Sequence, residues 1–139
     1  MKYTVGEWMI DLVIFIDPTA TVSEALAVMR RRYSKSVIVK KTDSNPQYGI
    51  LTSTDICDKI VAPGKNPSTL KVTDIMTAPL VTVFRSTPLK ECAGLMKKNH
   101  IHHLPVMDDD GVNLIGMISA TDFLVAAEAM GQAPGERII

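Results

Sequence analysis

Hydrophobic and polar positions follow the same order in the two halves of the chain. A short apolar run (residues 13–16, and again 80–83) precedes a stretch with apolar side chains at the helical spacing i, i+3, i+4 and i+7. Two more short apolar runs, separated by turn-forming residues, lead into a closing helical stretch. The pattern predicts a β-α-β-β-α unit that occurs twice.

The two halves align without a gap at a shift of 67 positions, which places Gly49 on Gly116 and Thr54-Asp55 on Thr121-Asp122. One such unit cannot cover both faces of its small sheet, so we expect the two to pack as a pseudo-two-fold pair. The sequence therefore predicts an α+β fold. Its parts are a first unit at residues 1–62, a linker at 63–71, a second unit at 72–130 and a C-terminal tail at 131–139.

Helix starts and inward faces can be placed from residue types. Thr21 and Glu24 have the spacing of a capping box, and Thr87 before Pro88 predicts an N-cap followed by proline at the first helical position. The closing helices are expected to begin near Asp55 and Asp122. The predicted inward faces of the two long helices consist of Val22, Ala25, Leu26 and Met29, and of Leu89, Cys92, Ala93 and Met96.

Composition narrows the class of protein. The 46% hydrophobic and 22% charged residues are typical of a soluble globular protein. Fifteen basic and fifteen acidic residues cancel, which argues against binding to nucleic acid or to an anionic membrane surface. The apolar run 12–16 is too short to span a bilayer and the first residues do not resemble a signal peptide, so a cytoplasmic location is expected.

Catalytic and metal-binding patterns are weak. Cys57 and Cys92 lie far apart in apolar helical patterns, which predicts two reduced core cysteines. We find no phosphate-binding loop, no GxSxG and no HExxH, and we therefore expect no enzyme activity.

The histidine cluster and the aspartate run also have plain structural interpretations. His102 and His103 are neighbours entering a predicted strand and should point to opposite faces, so they are not expected to bind a metal together with His100. The run 108–111 lacks the ligand spacing of a calcium loop and is more typical of a hairpin turn.

The segments 49–55 and 116–122 carry the most informative chemistry, since each ends a strand in hydroxyl residues and then places an aspartate at a helix start. In the structural interpretation, Thr54 or Asp55 caps the helix. In the functional one, the helix N-terminus and hydroxyls attract a phosphate, and the carboxylate accepts hydrogen bonds from the hydroxyls of a ribose. Ile50 and Met117 would flank a planar base. A phosphate, a ribose and a base together make a nucleotide, so this interpretation predicts an adenosine derivative as the ligand.

The order of elements, these two segments and the stretch 99–108 resemble a tandem pair of cystathionine-beta-synthase (CBS) domains, also called a Bateman module. The resemblance covers residues from about 5 to about 127. It implies a non-catalytic regulatory module that binds AMP, ADP or ATP in clefts between its two units and signals by a conformational or oligomeric change. No tightly bound cofactor is expected, and the regulated protein would be a separate partner.

Two sites follow from the resemblance. The first would consist of Ile50, Thr52, Thr54, Asp55, Thr77, Leu80, Thr82, His102 and His103. The second would consist of Ile10, Val13, Lys35, Ser36, Met117, Ser119, Thr121 and Asp122.

We favour the first site. Thr77 supplies a polar group there, although His103 replaces a family arginine and removes a permanent charge. The second has Ile10 in place of a hydroxyl but offers Lys35 as a cation. Replacing Asp55 by alanine is expected to remove most ligand binding and to leave folding largely intact.

Two other functions remain open. The chain could sense S-adenosylmethionine or a dinucleotide, which share the adenosine group. Alternatively, it could bind no ligand and serve as a dimerisation or protein-interaction module through its apolar closing helix, residues 123–127 with Met130. A two-fold dimer is the commonest oligomer, so a homodimer is expected in either case.

Overall fold

The computed structural model describes residues 3–131, and the predicted C-terminal tail lies outside these residues from position 132 onward. The chain divides into two compact units. We call residues Val13–Leu80 the central unit, and residues 3–12 together with 81–131 the terminal unit.

Each unit contains a β-α-β-β-α series and one further short helix, which follows the series in the central unit and precedes it in the terminal unit. In the central unit these are β1 (Phe15–Ile16), α2 (Val22–Arg31), β2 (Ser36–Val39), β3 (Gly49–Thr52), α3 (Ser53–Ile56) with a π-helical turn (Cys57–Val61), and α4 (Val72–Ile75). In the terminal unit they are α1 (Val5–Trp8), β4 (Val83–Phe84), α5 (Leu89–Asn99), β5 (His103–Met107), β6 (Leu114–Ser119) and α6 (Ala120–Gly131). The predicted α+β class with two β-α-β-β-α units is confirmed.

The two sheets have the same topology. The strand orders are β1-β2-β3 and β4-β5-β6, with the first pair parallel and the second antiparallel in each sheet. The parallel crossovers are made by α2 and α5. Both predicted turns are confirmed: Thr42 and Asn45 exchange backbone hydrogen bonds between β2 and β3, and Gly111, with φ of 73°, donates to the Asp108 carbonyl between β5 and β6.

The compact units differ from the sequence repeats in one respect, because each contains the short first helix of the other repeat. The central unit holds α4 through a hydrogen bond from the Val72 amide to the Ala20 carbonyl (2.9 Å). The terminal unit holds α1 through the equivalent bond, from the Val5 amide to the Thr87 carbonyl (2.9 Å). These backbone bonds satisfy polar groups that burial would otherwise leave unpaired, so the exchange is part of each fold.

The cores follow the predicted faces with two differences. Val22, Ala25 and Met29 are buried on α2, as are Leu89, Cys92 and Met96 on α5. Leu26 is only partly buried and Ala93 is exposed. Leu26 and Ala93 lie at the edge of the apolar stripe, where a small rotation of the helix determines whether a side chain faces the core or the solvent.

Helix capping was predicted correctly in one unit and wrongly in the other. Thr21 and Glu24 form the expected capping box on α2. On α5 the N-cap is Pro88, and no side chain caps the helix. The Thr87 hydroxyl instead accepts a hydrogen bond from the Phe84 amide (3.0 Å), which tightens the turn after β4.

The two cysteines are both free thiols but have different surroundings. Cys92 is fully buried on α5, and this burial raises the pKa of its thiol to about 11. Cys57 is exposed, so the prediction that it is a core residue was wrong. It begins the π-helical turn, where Ile60 is buried in the core and the neighbouring Ile56 packs against it partly buried.

Among residues 3–131, no helix combines the length and the apolar character needed to cross a bilayer.

Candidate functional site

The segment that ends β3 begins a helix with a capping box. Thr52 is the N-cap of α3, and its hydroxyl accepts a hydrogen bond from the Asp55 amide (3.4 Å). Oδ2 of Asp55 in turn accepts from the Thr52 amide (3.0 Å) and the Thr52 hydroxyl (3.2 Å). The cap is therefore Thr52, and neither Thr54 nor Asp55 takes that position.

The second oxygen of Asp55 is also occupied. Oδ1 accepts a hydrogen bond from the Thr77 hydroxyl (3.0 Å) and lies 2.9 Å from Nζ of Lys59. The same Nζ donates to the Ile75 carbonyl (2.8 Å). A carboxylate has about four lone-pair positions, and four donor groups of this unit already use them. Asp55 is only 6% exposed, so this carboxylate is buried and saturated by its own chain.

The equivalent segment of the terminal unit begins in the same way. Oδ2 of Asp122 accepts hydrogen bonds from the Ser119 amide (2.8 Å) and the Ser119 hydroxyl (3.2 Å) at the start of α6. Within residues 3–131, however, no donor is hydrogen-bonded to Oδ1 of Asp122. This aspartate is partly exposed, unlike the buried Asp55.

The repeat explains the difference between the two aspartates. Ile10 stands where the other unit has Thr77, since Ile10 pairs with Met117 as Thr77 pairs with Ile50. Four residues after each aspartate, Ala126 stands where the other unit has Lys59. An apolar side chain replaces each of the two donors, so the groups that saturate Oδ1 of Asp55 have no counterpart at Asp122.

The bridges also position the apolar residues that were predicted to flank a base. Ile50 and Thr77 exchange two backbone hydrogen bonds (2.8 and 2.9 Å), and Ile10 and Met117 do the same (both 2.9 Å). Ile50 is buried, whereas Ile10 is 56% exposed. The Ile10–Met117 pair therefore offers an accessible apolar surface, which the Ile50–Thr77 pair does not.

The structure brings together only part of each predicted site. Ile50, Thr52, Asp55 and Thr77 lie together in the central unit, and Ile10, Met117, Ser119 and Asp122 lie in the terminal unit. Thr54 and Thr121 are exposed one position before each aspartate.

With the exception of Leu80, the other predicted residues belong to the opposite unit from their aspartate. Leu80 is in the central unit with Asp55, but Thr82, His102 and His103 are in the terminal unit. Val13, Lys35 and Ser36 are in the central unit, not with Asp122. Their places in the two sites stay predictions.

Within their own units, two of these residues adjoin the helix starts. The Lys35 carbonyl accepts from the Ser53 amide (3.1 Å), and the His102 carbonyl accepts from the Ala120 amide (3.0 Å). His102 therefore lies at the start of α6, the helix that carries Asp122.

A pocket of about 310 Å³ opens beside this end of α6, in the terminal unit. Its lining residues are mostly apolar with three basic groups: Ala93, Met96, Lys97, His100, Ile101, His102, Ala120 and Phe123. We did not anticipate it from the sequence. Ala93 is the residue that could have indicated the pocket in the sequence, because a small side chain within the apolar stripe leaves space beside the helix.

Over the described range 3–131, no group of three or more histidine, cysteine, aspartate or glutamate side chains is arranged to hold a metal ion.

Comparisons with known proteins agree with this architecture. The sequence model of the CBS domain matches residues 5–62 and 72–129. The chain therefore belongs to the CBS-domain family and carries two CBS domains in tandem.

Relatives and solved structures extend this assignment. An uncharacterised protein of Methanopyrus kandleri is 36% identical over 121 residues, which is 87% of this chain and 61% of that protein. A mitochondrial CBS domain-containing protein of Arabidopsis thaliana is 38% identical over 92 residues, which is 65% of this chain and 44% of that protein. The chain thus spans less than two thirds of both curated relatives.

Among solved structures, a hexameric CBS-CP12 protein from bloom-forming cyanobacteria superimposes with a TM-score of 0.86 and 31% identity, covering 100% of this chain and 79% of that one. An uncharacterised conserved protein from Pyrococcus horikoshii gives a TM-score of 0.79 with 25% identity, covering 99% and 98%. CBS-domain pairs are commonly regulatory and bind nucleotides, and no catalytic domain is evident in the described part of this chain.

Proposed function

We propose that this chain is a non-catalytic sensor that binds an adenosine-containing ligand of the AMP, ADP or ATP class, with Asp122 as the carboxylate that accepts the ribose hydroxyls. The observation that carries the proposal is the state of that side chain. Ser119 orients one oxygen through two hydrogen bonds, and the other has no donor among residues 3–131. A positioned carboxylate with free acceptor capacity is what a ribose diol requires.

Neighbouring groups support an adenosine ligand. Ile10 and Met117 lie side by side as an apolar pair, and Ile10 is 56% exposed, so a planar base can pack against it. The amides at the start of α6 and the exposed Thr121 hydroxyl can donate to a phosphate. S-adenosylmethionine or a dinucleotide would use the same carboxylate, so a ligand panel decides among them.

This assignment reverses the preference for the site around Asp55. That carboxylate already accepts hydrogen bonds from Thr52 and Thr77 and pairs with Lys59. A ribose would have to displace a charged donor from a buried group to bind there.

Isothermal titration calorimetry tests the proposal with AMP, ADP, ATP and S-adenosylmethionine. Asp122→Asn keeps the shape of the side chain and removes its charge, and we expect affinity for the preferred ligand to fall about 10- to 150-fold, since hydrogen bonds to charged groups contribute roughly 1.5–3 kcal/mol. Glu128→Gln on the same helix is the matched control and should bind normally. Unchanged affinity in Asp122→Asn would contradict the assignment.

A second candidate function is self-association, because α6 exposes an apolar face. Leu124, Val125 and Met130 are 70%, 58% and 53% exposed. Exposed apolar surface of this kind favours contact with another protein surface. The cyanobacterial relative assembles as a hexamer, and we propose that this chain forms at least a homodimer through α6.

Analytical ultracentrifugation tests the self-association. Leu124→Glu should shift the protein to a smaller species, whereas Glu128→Gln should not. A wild-type monomer at high concentration would remove this candidate. Neither result alters the ligand proposal.

A further inference from the structure

The central unit carries a lysine at the place where a ligand would have to bind. Nζ of Lys59 lies 2.9 Å from Oδ1 of Asp55 and donates to the Ile75 carbonyl at 2.8 Å. Asp55 is buried, and the side chain of Lys59 is 42% exposed. The amino group thus reaches from the surface into the carboxylate and holds it against the segment that contains Ile75 and Thr77.

The backbone around Lys59 departs from regular α-helix. Residues Cys57–Val61 form a π-helical turn, in which the Ala62 amide donates to the Cys57 carbonyl (2.9 Å). The corresponding part of α6 is ordinary α-helix. Single π-helical turns are uncommon and occur often at functional sites. The two repeats therefore differ in backbone as well as in side chains at this point.

We propose that Lys59 is a built-in occupant of the Asp55 carboxylate that closes the central unit to adenosine ligands, so that each chain binds one ligand and binds it in the terminal unit. This inference rests on the function proposed above. The Lys59 ammonium adds an ion-pair attraction to its contact with Oδ1 of Asp55 (2.9 Å), and neutral ribose hydroxyls that compete for the same oxygen lack this attraction. We expect the lysine to weaken adenosine binding at Asp55 by about 10- to 100-fold.

The terminal unit shows which changes would open the central one. It has Ala126 in place of Lys59 and Ile10 in place of Thr77. Lys59→Ala gives the central unit the residue found at the first of these positions, and Lys59→Ala/Thr77→Ile gives it both. Lys65→Ala is the matched control, because it removes an exposed lysine of the same unit that has no side-chain contact with Asp55 among the described residues.

Calorimetry with AMP tests the proposal by counting ligands per chain. Wild type and Lys65→Ala should bind one AMP, and Lys59→Ala should bind a second, in the central unit. Circular dichroism of each variant shows that it is folded, and Lys59→Ala/Thr77→Ile gives a second measurement if the single variant is unstable. One AMP per chain in both opened variants would overturn the proposal. A loss of AMP binding in Lys59→Ala would also overturn it, because it would make Lys59 a ligand contact.

Adding Asp122→Asn separates failure of this inference from failure of the proposed function. The double variant Lys59→Ala/Asp122→Asn should bind one AMP, at Asp55. If wild type binds no AMP, the proposed function with this ligand fails. Lys59→Ala then decides the inference alone: one AMP bound supports the closing role of Lys59, and none overturns it.

Discussion

The central and terminal units share strand order, exchanged helices and a carboxylate fixed by the N-cap of the following helix, yet they treat that carboxylate differently. Asp55 is saturated by Thr52, Thr77 and Lys59, whereas Asp122 keeps one oxygen without a donor among residues 3–131. The two units therefore share a scaffold, while single substitutions, such as lysine against alanine at one helical position, change the hydrogen-bond partners of the carboxylate.

The largest expected difference between the two units is the loss of stability when the aspartate is replaced. Asp55→Ala leaves the Lys59 amine and the Thr77 hydroxyl without their acceptor, and we expect a loss of about 2–4 kcal/mol in the free energy of unfolding, reduced by the solvent exposure of the lysine. Asp122→Ala removes only a capping partner and should cost about 1 kcal/mol. Urea denaturation of both variants measures the two values. Because Asp55 is buried and holds three partners, its replacement should affect folding more than the sequence alone predicts.

A double-mutant cycle checks the cause. Asp55→Ala/Lys59→Ala removes both charges and should be less destabilised than the sum of the single variants. Strict additivity in the cycle would show that Asp55 and Lys59 do not stabilise one another. Equal losses for the two aspartates would show that the additional partners of Asp55 do not stabilise the fold.

A smaller difference is expected at the glycines that face the exchanged segments. A Cβ on Gly116 would lie 2.5 Å from the Ile10 carbonyl oxygen, whereas a Cβ on Gly49 would meet the flexible side chain of Met76. Backbone moves less easily than a methionine side chain. Gly116→Ala should therefore cost about 2–3 kcal/mol and Gly49→Ala about 1 kcal/mol. Thermal denaturation checks the order, and a larger loss at Gly49 would contradict it.

The smallest expected difference is in the reactivity of the two cysteines, which is measured in the native protein without any substitution. Burial raises the pKa of the Cys92 thiol to about 11, so it stays protonated at pH 8, where only thiolate reacts with iodoacetamide. Cys57 is exposed. Mass spectrometry after labelling of the native protein at pH 8 should find one modified cysteine, at position 57. Labelling of Cys92 at a similar rate would show that this core opens readily.

The sequence was sufficient for the scaffold, because periodicity and turn chemistry are local signals. The repeat, the capping box at Thr21 and the hairpin turns were all predicted from neighbouring residues. The Asp55–Lys59 pair also has helical i, i+4 spacing, but that spacing occurs on many solvated helix surfaces and does not reveal a buried partner.

The candidate site could be predicted only in part. Thr77 approaches Asp55 across 22 positions, and Ile10 approaches Met117 across most of the chain, because α1 and α4 are exchanged between the units. Such contacts depend on tertiary structure. The aspartates were therefore identified from the sequence, but which of them is free to accept a ligand was not.

Two-dimensional amide NMR with titrated AMP tests the central claim most directly, because it locates the ligand without any substitution. The account predicts that the largest shift changes fall on Ile10, Met117, Ser119 and Asp122, with little change at Thr52, Asp55 and Thr77. Shift changes concentrated at Thr52, Asp55 and Thr77 would contradict it.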